Sequence, residues 1–431
     1  MPYLLKGTDN FENERKKEIH MNTSIKEIQP VIENKVNEFS RTAMIDKLVL
    51  SGVAIQEIDN PEYLEKRGIL CNGKSKMKYY TKSGNEFTSL SIKDDFFGNL
   101  KAGVNYGAGC LYSSLSTSIK KKFCSNLICN TVDDYKKQIE NTKKYLSGMY
   151  GIYADFKNAV INSIEINRTF KIDNSITDYK RPIELIAWNI PRKKRMDLVQ
   201  DFKRKTENGF KTETFVITSR KIKKNKYEKT KKSKQYEELV FYDKTKQLEK
   251  IIFLSEVYMR FEIKITGSAK IKKMIGTNKF YELTDQSIND FFNYEIKELI
   301  IDPYAAWKEK RDKSLLKLLK SQRSEKHDWV VNTLLVLANE ELKNGVPFIL
   351  DVSEVIPLID RMGIKDPKRR YRIRENFKNQ AKRKADVFCN NDDKKLLELL
   401  HKLQDTDTPV SSQSCNDAIC ICHSGDMDKT A

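Results

Sequence analysis

The chain has 431 residues, 39% hydrophobic and 32% charged, a balance that suits a highly charged protein able to build cores in at most about three domains. Its 79 Lys and Arg against 60 Asp and Glu leave a formal charge of +19, which calls for an anionic partner, nucleic acid first among them. No apolar run reaches the roughly 18–20 residues of a membrane helix. The segment Met1 to Asn10 lacks the charged start and long apolar stretch of a secretory signal. No membrane partner is therefore expected, and the eight scattered cysteines fit a reducing cytoplasm. Cys415, Cys420, Cys422 and His423 sit in a polar tail rather than paired on ordered turns, which argues against a zinc site there.

Residues 1–43 are polar and read as an extension or a loose helix. At Met44 the pattern changes, and Ile45, Leu48, Val49 and Leu50 suggest a first strand. Residues 100–118 look like strands broken by Gly turns. Residues 132–150 read as an amphipathic helix with Tyr135, Ile139 and Tyr145 on its apolar side and Gly148 near its end. Strands are expected at Ala159–Ile166, Phe210–Thr218, Leu239–Asp243 and Tyr258–Ile265, with a Lys-rich loop at 220–234 between the second and third. After Pro303 the character turns helical. Helices are expected at Trp307–Lys320 and Asp328–Lys343, the latter stopped by Asn344 and Gly345, and shorter basic helices over 351–385. From Asp405 a polar, disordered tail is expected.

Strand periodicity sorts the polar residues. Glu165 and Asn167 share one face, with Ile164 and Ile166 on the other. Arg260, Glu262 and Lys264 lie together, opposite Met259, Phe261, Ile263 and Ile265. The expectation is an α+β fold: an antiparallel sheet with helices on one face, its polar face free to meet a ligand, followed by a mainly helical C-terminal domain. Any half-solvated sheet alternates in this way, with Arg260 and Glu262 in weak cross-strand pairs. A lone strand tyrosine such as Tyr242 does not by itself mark a nucleophile.

Six segments in order resemble the gene II/X replication initiators, the rolling-circle Rep family of filamentous phages and plasmids. They are Met44–Leu50 (MIDKLVL), Ser114–Asn126 (SLSTSIKKKFCSN), Ile161–Phe170 (INSIEINRTF), Thr212–Arg220 (TETFVITSR), Leu239–Glu249 (LVFYDKTKQLE) and Met259–Ile265 (MRFEIKI). The resemblance covers about 44 to 300 and implies division into an N-terminal extension (1–43), a nicking-joining domain (44–300), a basic helical domain (301–404) and a tail (405–431). It implies an enzyme that nicks one DNA strand at a replication origin through a tyrosine and rejoins it, in the cytoplasm of a host cell. The tyrosine would be Tyr242, with Lys244 two residues on along the same strand face, and the acid Glu165, where the family more often has Asp. The Lys-rich insert before Tyr242 is a second departure from the family.

The chemistry can be argued independently. Cutting a phosphodiester without losing its bond energy requires a covalent enzyme–phosphate link, hence an attacking hydroxyl. A phenol near pKa ~10 attacks well when a cation lowers its pKa or a metal polarises the phosphate. Lys244 and a hard divalent ion, Mg²⁺ or Mn²⁺, are the candidates for both tasks, with Glu165 and Glu262 supplying oxygen ligands. The four histidines, none in a His-x-His pair, agree with such a carboxylate site. Phosphate contacts are expected from Arg220, Lys221, Lys223, Lys224, Lys226, Lys231, Lys232 and Arg260, and from a second basic cluster holding Arg369, Arg370, Arg372 and Arg374 with Tyr371 and Phe377 interleaved. The expected partners are single- and double-stranded origin DNA, with a host helicase and polymerase. The rival readings are a non-catalytic DNA-binding regulator, and a relaxase or transposase of similar chemistry.

Overall fold

The computed structural model describes residues 42–71, 131–191, 254–350, 352–388 and 391–404, the stretch 236–248, and strand segments 79–80, 86–87, 89–94, 98–102, 111–116, 197–205 and 211–218. The strands are β1 (Met44–Ile58), β2 (Leu70–Cys71), β3 (Tyr79–Tyr80), β4 (Glu86–Phe87), β5 (Ser89–Asp94), β6 (Gly98–Ala102), β7 (Leu111–Ser116), β8 (Ile152–Asp155), β9 (Val160–Ile172), β10 (Asp197–Lys205), β11 (Lys211–Thr218), β12 (Tyr236–Asp243) and β13 (Val257–Thr266). One antiparallel sheet runs β10-β11-β12-β13-β9-β1-β7-β6-β5-β2, with β8 paired to the later part of β1 and β3-β4 a separate pair.

The helices are α1 (Pro61–Lys66), α2 (Val132–Tyr150), α3 (Lys180–Asn189), α4 (Lys244–Leu248), α5 (Ser268–Ile275), α6 (Asp285–Ile296), α7 (Asp302–Ser321), α8 (Trp329–Lys343), α9 (Val352–Asp360), α10 (Pro367–Arg383), α11 (Ala385–Phe388) and α12 (Asp392–Gln404). Sheet and helices make the α+β class that the alternation of the sequence leads one to expect. Helix α2 shows why local sequence suffices in places. Thr131 and Asp134 form a reciprocal capping box at its start. Its end is set by Gly151, at φ 60°, rather than by Gly148, which lies inside the helix. A Cβ at position 151 would adopt the left-handed region and sit 3.1 Å from the Asp59 side chain, so both backbone and space favour glycine.

Buried residues fall into two clusters. The first joins Ile45, Leu48, Ile164, Ile166, Phe215, Leu239, Phe241, Phe261, Ile263 and Ile265 of the sheet to buried residues of α2, α3, α5, α6 and α12. The second is built from the end of α7 with α8, α9, α10 and Phe388. The linear division at residue 301 misses one feature: Leu396, Leu399, Leu400 and Leu403 of α12 return to the first core. Arg168, on the core face opposite Phe261, secures that return. It is almost wholly buried, lies over the Phe292 ring at 4.9 Å, and donates to the Leu403 carbonyl at 2.8 Å and to Asn293 Oδ1 at 3.0 Å. Arg168→Met should lower stability by about 2–3 kcal/mol, since it strips a charged donor from one buried and one partly buried acceptor. The urea midpoint measures this; an unchanged midpoint would show that α12 docks on its leucines alone.

Candidate active site

The sheet brings four of the sequence-derived candidates onto adjacent strands. Tyr242 on β12 stands opposite Arg260 on β13, Glu262 of β13 opposite Asn167 of β9, and Lys264 opposite Glu165. Because the register advances in steps of two on each strand, all of these side chains point away from the apolar core. The Tyr242 hydroxyl donates to Glu262 Oε1 at 2.6 Å. Lys264 Nζ is 2.6 Å from Glu165 Oε1.

A further acid, Asp46, joins them from β1. The register between β1 and β9 shifts between Ile45 and Lys47, which leaves Asp46 in a bulge, and bulges commonly re-aim a side chain. Its Oδ1 accepts from Arg260 Nη1 at 3.1 Å, while Arg260 Nε donates to Thr169 Oγ1 at 2.8 Å. Asp46 is not among the candidates that strand periodicity singles out, although the pattern Ile-Asp-Lys-Leu, with two adjacent polar residues inside an apolar run, is a readable bulge signal.

Three expectations change. The polar face is not open to solvent along its length: Asn167, Thr169, Thr214, Arg260 and Glu262 are all buried, and only its Asp46, Glu165, Tyr242 and Lys264 margin is partly exposed. Arg260, expected to meet phosphate, has 0% exposure and spends its donors inside the protein, so it positions the acids around it. Lys244 does not continue the strand; it opens α4, where its Nζ donates to Gln247 Oε1 at 2.7 Å. The ammonium still lies 5.7 Å from the centre of the Tyr242 ring, over its face, a cation–π arrangement.

Electrostatics give the two central groups different states. Burial, then the charge of Glu262 against the pull of Arg260, raises the Tyr242 phenol well above its ordinary value, and Asp46 adds to the rise. This reverses the expected lowering by a cation. Glu262 is pushed to about 7 by burial first, then by the charges of Asp46 and Glu165, while Arg260 and the tyrosine hydroxyl hold it back. The result is a neutral phenol hydrogen-bonded to a carboxyl that titrates near neutrality, an arrangement in which the ionised carboxylate can accept the phenolic proton.

Among the described residues no three His, Cys, Asp or Glu side chains form a group that could hold a metal ion. The donors present are carboxylate oxygens, and Mg²⁺ is commonly held by one or two carboxylates completed by substrate phosphate. Glu165 and Glu262 fit that requirement in kind. Arg220, Lys221, Lys223, Lys224, Lys226, Lys231 and Lys232, with the Lys-rich loop, lie outside the described residues, as do the extension before residue 42 and the tail after 404. The side chain of Tyr236 lies outside them too. Arg369 and Arg374 are drawn inward, Arg369 to the Ser324 carbonyl at 2.9 Å and Arg374 to Asp360. Phe377 is fully buried rather than interleaved among surface charges, whereas Tyr371 and Arg372 are exposed.

No family model and no curated protein sequence matches the chain. Among solved structures, the rolling circle replication initiator protein from Geobacillus stearothermophilus aligns over 60% of this chain and 85% of its own, at 11% identity and a TM-score of 0.24. A likeness at that score assigns no activity to this chain.

The raised carboxyl has a consequence for stability. An acid whose folded pKa lies above its unfolded value binds its proton more tightly in the folded state, so folding loses stability as pH rises from about 4.5 to about 7. Glu262→Gln removes that loss. The variant should match the native protein near pH 4 and exceed it at pH 8 by as much as roughly 3 kcal/mol. Denaturant melts across this range test it, and a difference that does not vary with pH would show that Glu262 is not held near neutrality.

Proposed function

We propose that this chain is a tyrosine-linked DNA nicking and joining enzyme of the replication-initiator type, acting on one strand of an origin. The observation that carries the proposal is the 2.6 Å bond from the Tyr242 hydroxyl to Glu262. In the cleavage step the phenolic oxygen attacks phosphorus, Glu262 accepts the phenolic proton, and the bond from phosphorus to the 3′ oxygen breaks. That oxygen takes a proton from solvent and leaves as a free 3′-hydroxyl, and the 5′-phosphate remains esterified to Tyr242. Rejoining is the reverse: the 3′-hydroxyl returns its proton to solvent as it attacks the phosphotyrosine, and the proton on Glu262 returns to the phenol. The 5′ polarity follows the resemblance to the phage initiators.

Lys244, over the tyrosine ring, favours negative charge developing on the phenol oxygen as the proton leaves. Arg260 holds Asp46 and keeps the acids from expelling one another. A bound Mg²⁺ or Mn²⁺, held by Glu165 and Glu262, would supply Lewis-acid polarisation of the phosphate. Single- and double-stranded DNA are the proposed partners, with a host helicase and polymerase using the opened strand and its 3′ end. A basic chain with a polar sheet face would also suit a non-catalytic DNA-binding regulator, but binding alone gives no reason for a phenol paired to a buried carboxyl.

The test is a denaturing gel of labelled origin oligonucleotide incubated with protein and Mg²⁺. A slow-migrating covalent adduct should form with the native chain and disappear in Tyr242→Phe. Adduct that persists in that variant would move the nucleophile elsewhere, and no adduct with any divalent ion would favour the regulator. The initial rate of adduct formation should rise with pH as Glu262 ionises and then level off, with its midpoint below about 7 because a divalent ion beside the carboxylate favours the ionised form. Glu262→Gln should be much slower and lack that inflection; an identical profile in the variant would assign the base to another group. Chelation of the divalent ion should abolish adduct and Mn²⁺ should restore it, whereas full activity in chelator would remove the metal from the scheme.

A further inference from the structure

The second core supports a surface that the nicking chemistry does not use. Helices α9 and α10 pack on one another, α9 also on α7 and α10 also on α8. Residues 361–366 join α9 to α10, with Gly363 at φ 72° in the left-handed region. Helix α10 starts cleanly: the Asp366 side chain accepts from the Lys368 backbone N–H at 2.9 Å, and Pro367 occupies its first turn. Its inner side is fixed by Ile373, Phe377 and Ala381, all buried in the second core.

The outer side is a different surface. Lys368, Tyr371, Arg372, Lys378, Asn379 and Lys382 are exposed and recur at helical spacing along one stripe. The acid on that stripe is Glu375, half-buried and paired to Lys378 at 3.0 Å. Tyr371 is 63% exposed, an aromatic ring standing among cations with no core to join. Arg369 and Arg374 brace the helix from its flanks through Ser324, Glu325 and Asp360. The division is therefore between arginines that hold the helix and cations that the helix presents.

We infer that α10 is a reader of duplex DNA that enters the major groove and presents Lys368, Tyr371 and Arg372, near its N-terminal end, to base edges and the flanking backbone. An α-helix matches the width of the major groove, and helices that read it commonly use their N-terminal residues for base contacts. Single-strand binding instead relies on grooves that stack successive bases on several aromatic rings, and this stripe offers one. The anchored inner face and the capped start give the helix the rigidity that base readout needs. The reader shares a DNA partner with the proposed nicking function but uses no residue of that site. It would choose where on a duplex the enzyme settles, while the sheet acts on the strand to be cut.

The experiment uses the full chain and short duplexes selected by it from a randomised pool. The charge-reversed pair Lys368→Glu with Arg372→Glu is compared with Lys310→Glu with Lys317→Glu, two exposed lysines of α7 that give the same change in net charge. The α10 pair should weaken binding to the selected duplex by roughly 100-fold at about 0.1 M salt, and the α7 pair by far less. Methylating guanine N7, which lies in the major groove, should interfere with native binding at defined positions, and Arg372→Ala should erase that pattern at one of them. Tyr242→Phe, which forms no adduct, should keep the native affinity for the selected duplex and the native methylation pattern, which separates failure of the nickase from failure of the reader. Equal weakening by the two pairs, or no sequence enriched from the pool, would overturn the inference and leave α10 as a solvated charged face.

Discussion

A guanidinium with none of its surface in water is the constraint on which the candidate site depends. Arg260 stands on β13 opposite Tyr242 of β12, bonds Thr169 of β9 and pairs with Asp46 of β1, so a single side chain ties together three strands beside the tyrosine. A charge buried this deeply is tolerated only with close partners, and those partners are what arrange the polar face. Asp46 is held by Arg260, Glu165 by Lys264, and Glu262 is left to accept from the tyrosine. Arg260 also restrains the pKa of both Tyr242 and Glu262. Without it the acids would repel one another in a medium that screens poorly, and Glu262 would keep its proton to higher pH.

The alternation of β9 and β13 was readable because the two sides of each strand meet different surroundings: apolar residues meet α6 and its neighbours, and polar residues meet one another. Periodicity does not report how deeply a face is covered, which is why Arg260 reads as a surface cation in the sequence and is buried in the fold. Nor does it report where a strand ends. Tyr242 and Lys244 share a face only if Lys244 is still extended, and the chain turns helical at that residue. Asp46 was missed because a bulge breaks the period of two. Helix α12 was assigned to the C-terminal part by its place in the chain, yet its leucines belong to the first core, a long-range choice that local pattern does not encode. In the basic cluster, sequence counted charges without separating those that α10 presents from those that bind it to its neighbours.

These features describe a division of labour. The sheet supplies a dry, rigid platform on which a phenol and a carboxyl near its titration point are kept in contact by surrounding charge. Helix α7 leads from that core to the second, its Leu315 and Leu319 packing with α8, α9 and α10. The Tyr242–Glu262 pair thus belongs to the first core, and the basic helix to the second.

The central claim is that Tyr242 is the nucleophile because Glu262 is its base. Its most direct test is mass spectrometry of the purified protein–oligonucleotide adduct after nuclease trimming and tryptic digestion. Cleavage after Lys234 and Lys244 places Tyr236 and Tyr242 in one peptide, so fragment ions within that peptide decide between them under identical conditions. The predicted result is a nucleotide mass confined to fragments that contain Tyr242. A modification carried by Tyr236, or by a peptide from another part of the chain, would contradict it.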